Sequence, residues 1–520
     1  MNPPTTILTP QKLCWTATIL VAAGAGILIP LAGGLKLQMQ VILFLGLACL
    51  AVLPVIPNRR LALACAWILA LPLSLEKVFQ VFPPAYRGFM GSTLVLSGAD
   101  LVFYVLAITL LLEAATTREA VFFPSPATRI YGVIVIWVCV TFVLMGPSGS
   151  SVMQVLHWIK MFAYLVVFSS AIRSREELLT VLVAAAAAVL IQSIIVGISY
   201  GLGHKIGFSS KVTSEAMMVF TKGEDGESIT RATGTVGHVN QQAMFHVFFT
   251  LPLIGLFMVR NWIWRGVIAV VLAGSFCAII LTFSRASWIS CSLAALVVFF
   301  VAWKSGRITR QGWMAICLGV FVAVICMGAF SGKIIERITE GDNGASSSRV
   351  RMAMLALEHV SDHLLTGVGP GNFINARLAE YPIEWARNVW LPREKAYKPR
   401  DLAGLELYEI ELQGHWYYMP GVVHNKFLLM AAELGLVGLG LFLWFQWTIF
   451  RQALASLHAK DPLLWWIGVG LIGAFCANQS EFMFELFYDD KTVLMPLFVD
   501  ALILALGRIV INSNQQAEIQ

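Results

Sequence analysis

Fourteen apolar stretches run through this chain, and its arginines and lysines sort almost entirely to alternate connections between them. A helix needs roughly 20 apolar residues to cross the hydrocarbon of a bilayer. The stretches 13–33, 36–56, 61–75, 98–114, 130–146, 152–172, 178–200, 241–259, 263–283, 286–303, 313–330, 425–450, 463–480 and 492–510 reach or approach that length. The third is short and suits either a span or a re-entrant segment. The expected fold is therefore an all-α integral membrane bundle of about 14 (12–14) helices, a single domain over residues 1–520. Apolar residues at 58% against charged ones at 13% agree, because lipid takes over the water-excluding role of a large soluble core.

The charge pattern orients the bundle. With the N-terminus in the cytoplasm, the cytoplasmic loops carry Arg59 and Arg60, Arg118 and Arg129, Arg173 and Arg175, Arg260 and Arg265, Lys304 with Arg307 and Arg310, and Arg451 with Lys460. The opposite short loops hold almost no cations, and 481–491 is mostly acidic, with Glu481, Glu485, Asp489 and Asp490. Cationic loops stay inside, so both termini are expected in the cytoplasm. The net charge of +6 is thus a topology signal and does not point to nucleic acid. Residues 1–33 do not read as a cleaved signal peptide, since the apolar run is too long and another span follows at once. All nine cysteines lie in or at the edge of apolar runs, so no disulfide framework is expected in the external loops.

Two external segments are long. Residues 201–240 are polar and Gly-rich, while 331–424 hold ten Lys/Arg and twelve Asp/Glu and form the one soluble-looking part of the chain. A structureless loop of that length is uncommon. Ser346 or Ser347 can cap a helix on which Val350, Met354, Leu357 and Val360 recur at helical spacing, near the membrane surface. That helix should stop toward Gly367-Val368-Gly369-Pro370-Gly371, which lacks the ending and the preceding strand of a phosphate loop.

Three residues at external helix ends draw attention: Arg231 before the eighth span, Arg285 in the turn between the ninth and tenth, and His424 where the long loop re-enters the membrane. Each alone has an ordinary explanation. An arginine at a helix end can snorkel to headgroups, and an isolated interfacial histidine is commonly structural. Together they can do chemistry: two guanidinium groups can fork onto a diphosphate, and a neutral imidazole can take a proton from a hydroxyl. Asn240 and Asn425, beside these residues, and Arg349 on the external helix extend the set of candidate substrate-binding groups. Inside the spans, Lys160 with His157 one turn away, Asp100 and Asp500 are costly in lipid. Lys160 either reaches the external face to help bind a diphosphate or forms a structural pair with Asp100 or Asp500. Gly435, Gly438 and Gly440 read as close-packing positions. No cofactor is expected. Asp489 and Asp490 are adjacent external carboxylates, but they fit the acidic last loop better than a metal site.

The ordered series RATGTVGHVNQQA, LTFSRAS, SSSRVRMAMLALEHVSDHLLTGVGPGNF and HNKFLLMAAELGLVGL resembles the O-antigen ligase and polymerase superfamily over about residues 231–450. The resemblance implies a metal-independent, inverting glycosyltransferase of the bacterial inner membrane. It would move a glycan from undecaprenyl diphosphate to an acceptor on the periplasmic side. By it, Arg231 and Arg285 hold the diphosphate and His424 activates the acceptor hydroxyl. The acceptor is left open: a lipid A core sugar, another lipid-linked glycan, or a protein side chain. The family's ligases usually have fewer spans, and Tyr381 to Pro420 is a larger insertion than most carry. A reading of another class, a lipid-linked glycan flippase or secondary transporter, would require broken helices and polar residues near the midplane of several spans.

Overall fold

The computed structural model describes residues 56–73, 76–81, 85–86, 93–117, 120–203, 221–222, 228–229, 231–258, 261–308, 331–339, 345–373, 407–412, 415–420, 422–485 and 490–519, with isolated positions between 310 and 330 and at 376 and 487. The expected spans 13–33 and 36–56 (apart from Ile56), much of 313–330, much of the 381–420 insertion and Asp489 lie outside the described residues. In chain order the main helices are α1 (Arg59–Ala70), α2 (Gly98–Thr116), α3 (Pro126–Met145), α4 (Gly149–Ala171), α5 (Arg175–Leu202), α6 (Val239–Thr250), α7 (Trp262–Leu281), α8 (Arg285–Lys304), α9 (Ser331–Thr339), α10 (Ala345–Asp362), α11 (Lys426–Ala455), α12 (Pro462–Phe484) and α13 (Asp490–Ile519).

Nine helices among the described residues are long and apolar enough to cross a membrane, α2–α5, α7, α8 and α11–α13, so the count of about 14 is not reached there. The other expected spans differ for visible reasons. The third is the 12-residue α1, and the eighth is α6 followed by a 3₁₀ turn over Leu251–Met258. The helical content agrees with an all-α membrane protein, and among the described residues short strands between the helices add three small antiparallel sheets. One pairs Glu76–Val81 with Thr93–Ser97. Another joins Ala85–Tyr86 to the hairpin Leu407–Leu412/His415–Pro420, so the external segment before α2 meets the long loop before α11.

Helix starts follow local chemistry. Ser97, Ser125 and Ser148 accept from the backbone three residues on, and Asp100, Thr128 and Ser151 bond back to complete capping boxes. Pro126 and Pro462 stand in first turns, where a missing N–H costs nothing. Helices α12 and α13 are buried over most of their length and form the centre. The outer helices turn Leu111, Leu112, Ile136, Val143, Leu296 and Phe300 outward, as a bilayer solvent permits.

Helix α11 is broken at Gly435, whose φ of 69° and ψ of −177° are non-helical. The expectation of plain close packing at three glycines holds for Gly438, against Trp137. At Gly440 nothing is near, and Gly435 instead takes a left-handed φ at a place where any Cβ would collide with the Leu365 carbonyl. A broken helix in lipid leaves backbone groups that must find partners. They do: Val368 N–H donates to Ala432 O at 2.9 Å, Gly369 N–H to Glu433 O at 2.9 Å, and Leu436 N–H to Leu364 O at 2.9 Å. Trp137 Nε1 donates to Leu434 O at 2.9 Å. The GVGPG segment is thus more than a helix terminator. It pairs with the opened turn of α11 like a strand, and a side chain at Gly367 would collide with the Glu433 backbone.

Helix α10 forms as the spacing predicts. Val350, Met354 and Leu357 are exposed, while Met352, Ala356 and His359 face inward. His359 Nε2 lies 2.8 Å from Phe373 O, tying α10 to the end of the GVGPG turn.

Contacts divide the helix ends into two faces, and the division matches the alternation of cationic loops. At one face Arg60 pairs with Glu177, Arg173 with Glu113 at 2.6 Å, and Arg175 with Asp461 at 2.6 Å. At the other, 231–240, 281–285, 364–372, 424–425 and 483–485 gather.

Candidate active site

The segment leading into α6 is a buried plug. Thr235 Oγ1 donates to Pro72 O at 2.8 Å, and its N–H donates to Gln192 Oε1 at 3.0 Å. Gly234 N–H donates to Gln242 Oε1 at 3.1 Å, and Thr233 Oγ1 to Gly237 O at 3.0 Å. These polar bonds let a Gly-rich run, which the sequence presents as a solvated loop, sit inside the bundle with Ala232, Thr233, Thr235 and Val236 buried.

This plug carries Arg231, which is 5% exposed. Its neighbour Ala232 donates its N–H to Leu281 O at 3.0 Å, at the end of α7. Arg231 Nε donates to Thr282 O at 2.8 Å, and Nη2 to Asn240 Oδ1 at 2.7 Å. Two bonds at different edges fix the plane of the guanidinium. Thr282 begins the sharp turn that presents Arg285, the first residue of α8. Buried Phe283 in that turn has a φ of 49°, a strained conformation for a bulky residue.

Asn240 Nδ2 donates onward to Glu485 Oε1 at 2.7 Å, just past the end of α12. Two residues earlier, Met483 O accepts from Asn425 Nδ2 at 3.4 Å, and Asn425 Oδ1 caps α11 by accepting from Leu428 N–H at 2.9 Å. The starts of α6, α8 and α11 and the end of α12 therefore meet, and His424 stands immediately before the α11 cap. His424 is half-buried. Burial first, then the positive charge of Arg349 and the neighbouring His238, lower its pKa to about 4. His238 is lowered to about 4 by burial and then by Arg231. Both histidines lie outside the membrane spans; Arg231 acts on His238, and Arg349 and His238 act on His424.

Of the sequence candidates, Arg231, Arg285, Asn240, Asn425, His424 and Arg349 belong to this region. Lys160 is tied elsewhere: its Nζ is 3.3 Å from Asp100 Oδ1, the structural pairing that stood as one of its two alternatives. Asp100 also accepts from Tyr164 Oη at 2.9 Å and from Ser97. Asp500 is buried and lines an intramembrane cavity with Tyr131, Gln154, His157 and Lys426. Sequence reasoning missed Glu485 and His238 as members of the site. His238 was visible inside the RATGTVGHVN run. Glu485 was visible only as one of several loop acids, and no spacing links it to Asn240, 245 residues earlier.

Residues 268–443 match the family described as O-antigen ligase. Over this segment the chain is similar to the O-antigen ligase family. The match runs from within α7 into α11 and includes Arg285, Arg349, His424 and Asn425, whereas Arg231, Asn240 and Lys160 precede it. A search of curated proteins finds no match. That similarity points to a membrane glycosyltransferase type of function.

Proposed function

We propose that this chain transfers a glycan from undecaprenyl diphosphate to an acceptor hydroxyl at the periplasmic face of the bacterial inner membrane. The observation that supports this most is the meeting of four helix ends that brings Arg231, the turn bearing Arg285, and His424 to one face. Arg231 and Arg285 hold the diphosphate, offering donors for the charge that develops on the leaving group. Neutral His424 takes the acceptor proton as the acceptor oxygen forms a bond to the anomeric carbon. The bond from that carbon to the diphosphate oxygen breaks on the opposite side. The products are the inverted glycoside, undecaprenyl diphosphate and a protonated His424, which returns its proton to water. The guanidinium groups supply the cationic stabilisation, so no metal is assigned a step.

The test is transfer by the purified full chain in liposomes, using an undecaprenyl-diphosphate glycan with lipid A core, lipid-linked glycan or peptide acceptor in separate arms. Transfer with inverted anomeric configuration, unchanged by chelator, is expected in one arm. Retained configuration, or chelator sensitivity, would overturn the mechanism. Movement of the intact donor across the bilayer with no glycoside formed would favour a flippase.

A further inference from the structure

Glu485 and Asn240 form a two-link brace behind Arg231. The brace runs from the Arg231 guanidinium to Asn240 Oδ1 at 2.7 Å and from Asn240 Nδ2 to Glu485 Oε1 at 2.7 Å. The direction of each bond matters. A carboxylate accepts only, so Asn240 must turn its amide nitrogen toward Glu485 and its oxygen toward Arg231. Glu485 is 8% exposed and Arg231 5%. Little water is available to replace either link. In such surroundings a hydrogen bond polarises the next one, and a carboxylate one amide away makes the amide oxygen a stronger acceptor.

We propose that Glu485, acting through Asn240, is a positioning residue for Arg231, fixing the angle at which that guanidinium meets the donor diphosphate. This rests on the diphosphate reading of the site. It also gives Asn240 a different part from the substrate contact expected from sequence: its amide holds one hydrogen bond at each end to the protein. The Thr282 carbonyl fixes the Nε edge of Arg231 from the α7–α8 turn, and the brace fixes an Nη2 edge from the end of α12. The aim of Arg231 therefore depends on α12 staying in register with α6. Mis-aiming a binding group by about 1 Å can cost on the order of 100-fold in rate.

The experiment uses the full chain in liposomes and measures affinity for undecaprenyl diphosphate, without a glycan, alongside transfer kinetics. Glu485→Ala should weaken binding about tenfold and raise the donor KM, leaving the acceptor KM unchanged. Glu485→Gln keeps an acceptor oxygen for Asn240 and should recover most of that loss. Asn240→Asp keeps an oxygen for Arg231 but sets a second carboxylate against Glu485, so it should not be rescued. In an Arg231→Ala background, removing Glu485 should cost nothing further, because the group it aims is gone. Additive losses in Arg231→Ala/Glu485→Ala, or an equal loss in Glu485→Gln, would overturn the brace. Full affinity in Arg231→Ala alone would instead overturn the diphosphate reading. If Glu485→Ala fails to insert, Asn240→Ala, which cuts the same brace, is compared alone and in the Arg231→Ala background, and additive losses there overturn the brace.

Discussion

The two ends of the helix bundle use arginine differently. At the end that the charge pattern assigns to the cytoplasm, Arg60, Arg173 and Arg175 meet carboxylates directly, in Glu177, Glu113 and Asp461. Arg508 there donates to the Ser169 and Ile172 carbonyls, closing the end of α4. At the opposite end, Arg231 donates to a backbone carbonyl and to the Asn240 amide oxygen, and Asn240 in turn donates to Glu485. A guanidinium paired with a carboxylate fastens helices together. Bonds to neutral acceptors, at Arg508 as at Arg231, orient a guanidinium without those acceptors cancelling its charge, and at Arg231 they do so beside the turn that carries Arg285.

The largest expected effect breaks this contrast outright. Arg231→Ala and Arg285→Lys should each reduce transfer about 100-fold or more per folded molecule, the second because lysine keeps the charge but loses the fork. Thermal stability should change little by comparison. Arg60→Ala should show the reverse: it removes the cation beside half-buried Glu177, which keeps the Asn58 Nδ2 and Arg173 N–H donors, lowers stability by about 1–3 kcal/mol, and leaves transfer per folded molecule near the parental level. Paired thermal melts and transfer assays read both. Similar profiles for Arg60 and Arg231 variants would erase the distinction between the ends.

The contrast was partly legible in the sequence. Hydropathy and cation alternation separated the two faces, since both arise from chain-local composition, and residues 231, 285 and 424 stood out at one of them. What stayed hidden depends on contacts across long separations. The Asn240–Glu485 link joins residues 245 apart, and the pairing of 364–369 with 432–436 required knowing that α11 breaks at Gly435. Three glycines at helical spacing looked alike, although only one carries a left-handed φ. The break also bears on the transporter alternative, which predicted broken helices. In α11 the opened carbonyls of Ala432, Glu433 and Leu434 accept from Val368, Gly369 and Trp137, so this break is used to seat the external loop. The strands of the external segments escaped because they are short and pair across the chain.

His424 sharpens the comparison within the end that carries the proposed site. Its replacement by Ala should slow transfer roughly 10²–10⁴-fold while leaving affinity for undecaprenyl diphosphate largely intact. The base must be neutral, and burial, Arg349 and His238 hold its pKa at about 4 against an ordinary 6.5. Acid pH protonates it, so kcat/KM measured at low donor should hold through pH 6 and fall as pH approaches that lower value. Arg349→Ala removes one of the two charged causes and leaves burial, so the acid limb should move upward without reaching 6.5. A limb that stays in place would mean that Arg349 does not act on His424. Loss of donor binding along with transfer in His424→Ala would put the histidine in the diphosphate site.

The smallest effect is expected at Lys160, which follows the pairing logic of the opposite face although it lies nearer this one. Asp100 does not depend on it alone, because Ser97 and Tyr164 also donate to that carboxylate. Lys160→Met keeps the length of the side chain and removes the charge. Asp100 then retains its cap on α2. Transfer per folded molecule should stay within about threefold of the parent, with donor KM unchanged. Asp100→Asn should be the more damaging of the two to stability, since an amide cannot serve Ser97, Tyr164 and Lys160 as one carboxylate does. A large rise in donor KM for Lys160→Met, with Asp100→Asn behaving normally, would return Lys160 to the diphosphate and limit the structural reading to the other ion pairs.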